Sequence, residues 1–75
     1  MQEIYTCPAW AIGENLGWRL ECAGMSLKDL HEATGVSYST LSNYQRGLNV
    51  PNAVNLKKMA TALGCTMDDL MEGVE

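Results

Sequence analysis

Cysteine, histidine and cationic residues are all scarce in this 75-residue sequence, and each shortage removes a class of function. Cys7, Cys22 and Cys65 are odd in number and irregular in spacing. That excludes a disulfide framework and fits reduced thiols in a cytoplasm. Together with the single His31 they form no CxxC or HxxxH pair, so no metal centre and no cofactor is expected. No stretch approaches the ~18 apolar residues of a membrane span, and MQEIYTCPAW lacks the basic and apolar regions of a secretory signal. Ser, His and Asp are present, but without a nucleophile elbow, a metal pair or a Gly-rich phosphate loop they compose no enzyme. The expectation is a cytoplasmic protein with no membrane segment, no small-molecule substrate and no catalytic activity.

Five Lys and Arg stand against nine Asp and Glu, giving a net charge of −4 and a pI near 4.7. A nucleic-acid binder usually shows the opposite balance, a basic patch. The charge is unevenly placed, however. Between Ser26 and Lys58, Lys28, Arg46, Lys57 and Lys58 outnumber Asp29 and Glu32, leaving that segment at +2. Acids collect towards the ends, at Glu3, Glu14 and Glu21 and again at Asp68, Asp69, Glu72 and Glu75. A weakly basic middle is compatible with DNA and predicts weak non-specific binding, because few phosphates are neutralised.

With 47% hydrophobic residues the chain has material for one modest core. The positions of those residues read as helices. Ile4 and Tyr5 have no clear period, and either a short strand or packing on the domain fits them. Pro8 suits a first helical turn, where its missing N–H costs nothing. Ile12, Leu16, Leu20 and Ala23 then recur as one apolar stripe, and Gly24 closes helix 1. Gly13 and Gly17 inside this helix each cost about 1 kcal/mol relative to Ala, which points to close backbone packing. Trp18 and Cys22 project from the far side, with Trp10 at the stripe's edge. Two readings stay open for them: cover by a folded-back N-terminal segment, or an oligomer contact that uses the aromatics.

Ser26 with Asp29 makes a capping box for helix 2, whose inward residues are Leu27, Leu30 and Ala33. Gly35 supplies a left-handed turn, Val36 fills the angle between helices, and Ser37 caps helix 3 at about 38–46. Leu41 and Tyr44 face inward there, and Tyr38, Ser39, Ser42 and Asn43 face outward. Gly47 ends it. After the Leu48–Pro51 loop, Asn52 caps helix 4, lined by Leu56, Met59, Ala60 and Leu63 and stopped by Gly64. Thr66 caps a last helix with Asp68 and Asp69 in its first turn, and Leu70, Met71 and Val74 close the core. Five helices without a β-alternating run make an all-α bundle, with a helix-turn-helix unit at 26–47. The domain spans 12–73, and 1–11 form an N-terminal extension and the start of helix 1.

The run GMSLKDLHEATGVSYSTLSNYQRGLNVPNAVNLKKMATALGCTMDDLM resembles the Cro/repressor-type (Xre-like) helix-turn-helix family of bacteria and phages. The matching marks are Ser26, Leu30, Gly35-Val36-Ser37, Leu41, Arg46-Gly47, Pro51 and the stretch Met59 to Gly64. The resemblance extends from about Ile12 to Met71. It implies a compact five-helix, lambda-repressor-like domain and a sequence-specific transcriptional regulator. Such a domain inserts helix 3 into the major groove of double-stranded DNA, usually as a homodimer. Carried onto this chain, the base-reading positions are Tyr38, Ser39 and Asn43, with Asn43 suited to a bidentate bond to adenine. Backbone-contacting positions are Ser26, Leu27, Ser37, Thr40, Ser42, Arg46 and Asn49. Trp10 and Trp18 are the candidate dimer contacts.

The chain also departs from the family pattern. Leu27 stands where the family often has Gln, His31 where it has a small Ala, and Leu48-Asn49 where it often has Lys or Arg. Leu20 and Gln45 stand where a buried Arg–Glu pair is common. Losing both charges together avoids the ~3–5 kcal/mol cost of stranding one. These departures keep a second reading in view, a protein-interaction module on the same fold with reduced DNA binding.

Overall fold

Five α-helices, α1 (Pro8–Ala23), α2 (Leu27–Thr34), α3 (Tyr38–Gln45), α4 (Ala53–Leu63) and α5 (Met67–Leu70), follow one another in the computed structural model, which describes residues 8–74. No strand occurs among the described residues, so the expected all-α architecture is the one observed. The expectations for Ile4, Tyr5 and a folded-back N-terminal segment lie outside the described residues.

Each helix begins and ends where its own chemistry stops it. Ser26 and Thr66 both make capping boxes, with Asp29 and Asp69 returning a carboxylate to the cap's own amide. Ser37 and Asn52 cap α3 and α4 through side-chain oxygens that accept from Thr40 N and Asn55 N. Gly35 and Gly64, at φ of 78° and 72°, close α2 and α4 in the left-handed region, where a Cβ is strained.

The helices converge on one core. Leu16 and Leu20 of α1, Leu30 of α2, Leu41 and Tyr44 of α3, Leu56, Met59 and Leu63 of α4 and Leu70 of α5 are all buried in it. α1 packs against α3 and α5, while α2 lies between α3 and α4. The four-residue α5 is held from outside as well. Asn15 Nδ2 donates to the carbonyls of Leu70 and Glu72 at 2.9 and 2.7 Å, and Arg19 pairs with Asp69 at 3.5 Å.

Five expected core residues are not buried, Leu27 and Val74 among them being half-buried. Ala23, Ala33 and Met71 are exposed. Each falls in or after the last turn of its helix, so helical period alone put it on the inner face without a neighbouring helix to cover it. Leu20 joins the core, but its expected companion Gln45 is exposed, with its amide beside Gly17.

Asp69 offers a test of the α5 cap. Its hydrogen bond from the Thr66 amide, then that involving the Thr66 side chain, and then Arg19 hold its carboxyl below the ordinary range. A lowered folded pKa means the cap's contribution is complete at neutral pH and is lost as pH falls through the bound carboxylate's range. In an NMR titration, the Thr66 amide shift should move at a pH below that of a free Asp. An inflection at the free value would show that the cap does not bind the ionised form.

Candidate nucleic-acid interface

The turn between α2 and α3 is closed by side chains on both flanks. Thr34 Oγ1 donates to the Leu30 carbonyl at 2.8 Å and accepts from the Val36 amide at 3.1 Å. His31 Nδ1 lies 2.6 Å from the Val36 carbonyl, and Val36 itself is buried between the helices. The histidine that replaces a small residue of the family pattern is therefore half-buried and tied to the turn it precedes. Sequence spacing could not show this, because the partner is a backbone carbonyl.

On α3, Leu41 and Tyr44 point into the core, and the Tyr44 hydroxyl accepts from Asn55 Nδ2 of α4 at 3.0 Å. At about 100° per residue, the direction opposite this pair falls on Ser39 and Arg46. Asn43 and Ser42 flank it on either side, each about 50° away. Tyr38 and Thr40 lie at the margins. Tyr38, Ser39 and Arg46 are exposed, whereas Thr40, Ser42 and Asn43 are half-buried. The structure thus gathers Tyr38, Ser39, Ser42, Asn43 and Arg46 on one outward surface.

Several expected contact residues are already engaged. The Ser26 hydroxyl is taken by the Asp29 amide. The Ser37 hydroxyl accepts from the Thr40 amide and donates to Thr40 Oγ1 at 2.7 Å. Leu27 is half-buried against the core. Asn49 is exposed in the loop after α3.

That loop is firmly seated. The Leu48 amide donates to the Asn43 carbonyl at 2.9 Å, and Pro51 is buried. It nonetheless presents apolar side chains: Leu48 is 58%, Val50 55% and Val54 62% exposed. Trp10 and Trp18 of α1 are similarly open, at 57% and 60%. Helical period gave no sign of Val50 and Val54, which lie in or beside an irregular segment.

The electrostatics of the surface follow from where acids are missing. None occurs between Glu32 and Asp68, a span that holds Arg46, Lys57 and Lys58 and so carries +3, while the rest of the chain carries −7. The turn, α3, the loop and α4 are all acid-free. Burial pushes the thiol of Cys65, just after α4, up, against a downward pull from Arg19. No helix among the described residues is long and apolar enough to cross a membrane.

Comparison with known proteins gives matches over the same elements. A family model described as helix-turn-helix, HTH_3, matches residues 18–70. The HTH-type transcriptional regulator DdrOP3 of Deinococcus deserti is 40% identical over 52 residues, covering 69% of this chain but 40% of that protein. The chain therefore spans less than half the length of that curated relative. Among solved structures, the P22 c2 repressor in complex with a synthetic operator superposes with a TM-score of 0.76 at 31% identity. That match covers 83% of this chain and 94% of the repressor. The clp gene regulator ClgR of Corynebacterium glutamicum gives a TM-score of 0.84 at 27% identity, covering 93% and 90%.

Proposed function

This chain belongs to the HTH_3 helix-turn-helix family, and from that premise we propose that it is a sequence-specific DNA-binding transcriptional regulator whose α3 reads the major groove. The observation that carries the reading is the division of α3 into a buried face and an outward one. Leu41 and Tyr44 fix the helix to the core. The opposite surface holds only polar, hydrogen-bonding or cationic groups, with no acid on α3, the loop or α4. The operator in the matched P22 c2 complex supports DNA as the partner.

On this reading Tyr38, Ser39 and Asn43 contact bases. Asn43 offers both an amide donor and a carbonyl acceptor, the pair that adenine requires in the major groove. Thr40, Ser42, Arg46 and Asn49 reach the phosphate backbone with their side chains. Leu27 and Ser37 contribute through the amides at the starts of α2 and α3, where donors left free by the helix attract anions, whereas the amide and the hydroxyl of Ser26 are both engaged with Asp29. With few cations to neutralise phosphates, a single copy binds weakly. A homodimer joining two half-sites about 34 Å apart multiplies that affinity.

Selection of random duplex DNA by the chain should enrich a short, two-fold symmetric sequence. Binding to it should weaken with added salt along a negative log–log slope. Absence of any enriched sequence and of binding at low salt would overturn the proposal.

The exposed Trp10, Trp18, Leu48, Val50 and Val54 favour a second use of the fold, protein association through apolar surface. We propose Trp10 and Trp18 as the contacts of the dimer. Trp18→Ala should lower the dimer fraction in sedimentation while leaving the helical content intact. An unchanged sedimentation profile would remove Trp18 from the interface.

A further inference from the structure

Trp10, Gly13 and Gly17 follow one another on α1 at three- and four-residue spacing, so they lie along one line of the helix. That line runs along the edge of the core stripe of Ile12, Leu16 and Leu20, and it faces the C-terminal end of α3. A Cβ built on Gly13 would fall 2.7 Å from the carbonyl oxygens of both Tyr44 and Gln45. Both neighbours are backbone atoms, so no side-chain rotation relieves the collision. Only a hydrogen fits. One turn on, the same construction at Gly17 meets Gln45 Nε2 at 3.5 Å, an ordinary contact with a flexible side chain. At the other end, Trp10 covers Gly47, whose Cβ position lies 3.1 Å from Trp10 Cδ1 and 3.2 Å from Trp10 Cα.

The last turn of α3 therefore rests on α1 at backbone distance, and the tightest point of that seat is Gly13. We propose that Gly13 is a positioning residue that sets the depth and tilt at which α3 is presented to DNA, and so governs operator specificity. This deepens the DNA-reading function proposed above and rests on it. The magnitudes are matched. Relieving a 2.7 Å approach to the 3.4 Å where ordinary contact begins takes a shift of about 0.7 Å. Hydrogen bonds to bases occupy a donor–acceptor window only about 0.5 Å wide. A displacement of that size removes Tyr38, Ser39 and Asn43 from register, while long cationic side chains still reach phosphates.

The test compares Gly13→Ala with Gly17→Ala. Both replace a helix-interior glycine by the best helix former, and only the first collides with α3. Binding is measured to the sequence selected by the unaltered protein and to random duplex, over a range of salt. Gly13→Ala should lose about tenfold or more on the selected sequence and keep its random-duplex affinity and salt slope; Gly17→Ala should match the parent on both. Equal loss on both DNAs, or no loss on either, overturns the proposal. Should Gly13→Ala not fold alone, it is made in the Gly17→Ala background, and failure to fold there too makes Gly13 a residue of the fold and not of recognition. If the parent protein binds no DNA at all, the regulator reading fails separately. The seat is then read without DNA: Gly13→Ala should shift amide resonances along the whole of Tyr38–Gln45, and shifts confined to its immediate neighbours refute it.

Discussion

Leu41→Ala should remove a large share of the fold's stability and lower its melting temperature steeply. Leu41 is wholly buried on the inner side of α3, at 0% exposure, and it joins that helix to the shared core. Truncating a leucine in such a site removes its transfer free energy and leaves a cavity, at a cost of about 2–5 kcal/mol. A chain of this length has a total stability of roughly 4–11 kcal/mol. At about 4–8 °C per kcal/mol for a domain of this size, the melting temperature should fall by roughly 8–40 °C. Thermal melting followed by circular dichroism at 222 nm measures this directly. A drop below about 5 °C would mean that neighbours collapse into the space, and that α3 is held less tightly than its burial indicates. Ser39→Ala, two residues away on the opposite face, should leave the melt unchanged.

The second large effect separates recognition from folding. Asn43→Ala should cost about 1–3 kcal/mol on the selected operator and relax preference at one base pair. The Asn43 side chain is half-buried, and among the described residues its amide forms no hydrogen bond to another protein group. Its loss should therefore leave the melting temperature nearly unchanged. The measurement is a binding isotherm on the operator and on single-base variants of it. Loss of the same size on every sequence would place Asn43 at the backbone, and a fall in stability would make it a structural residue.

The difference between these two substitutions mirrors what the sequence makes legible. Leu41 is readable because a buried helix face repeats at a fixed period, and Ser26, Ser37, Asn52 and Thr66 are readable because a cap bonds an amide three residues on. All four caps occur as the spacing predicts. Interactions between segments are not written in this way. The bond from His31 to the Val36 carbonyl, the pairing of Arg19 with Asp69 and the exposure of Ala23, Ala33 and Met71 depend on where neighbouring helices end. Gly13 shows the boundary clearly. Sequence marks it as costly within a helix, but the backbone carbonyls that require it belong to residues some thirty positions later.

The candidate surface divides in the same manner. Family resemblance located the outward residues of α3, and the structure gathers Tyr38, Ser39, Asn43 and Arg46 there. The same resemblance named as backbone contacts Ser26 and Ser37, whose hydroxyls cap helices, and Leu27, which packs on the core. A motif transmits positions. It does not say which atoms at those positions are still free.

The acid-free span from the turn through α4 has a kinetic consequence. With +3 on that span and −7 elsewhere, a nearby polyanion pulls on one side of the molecule and pushes on the other. On the proposed reading, orientations that bring this span towards DNA and turn the acidic ends away are favoured before contact. The small positive charge gives little adhesion once the molecule arrives. If α3 reads DNA as proposed, a molecule so arranged is aimed at long range and held loosely at short range, which shortens its stay on every sequence except the one its outward side chains fit.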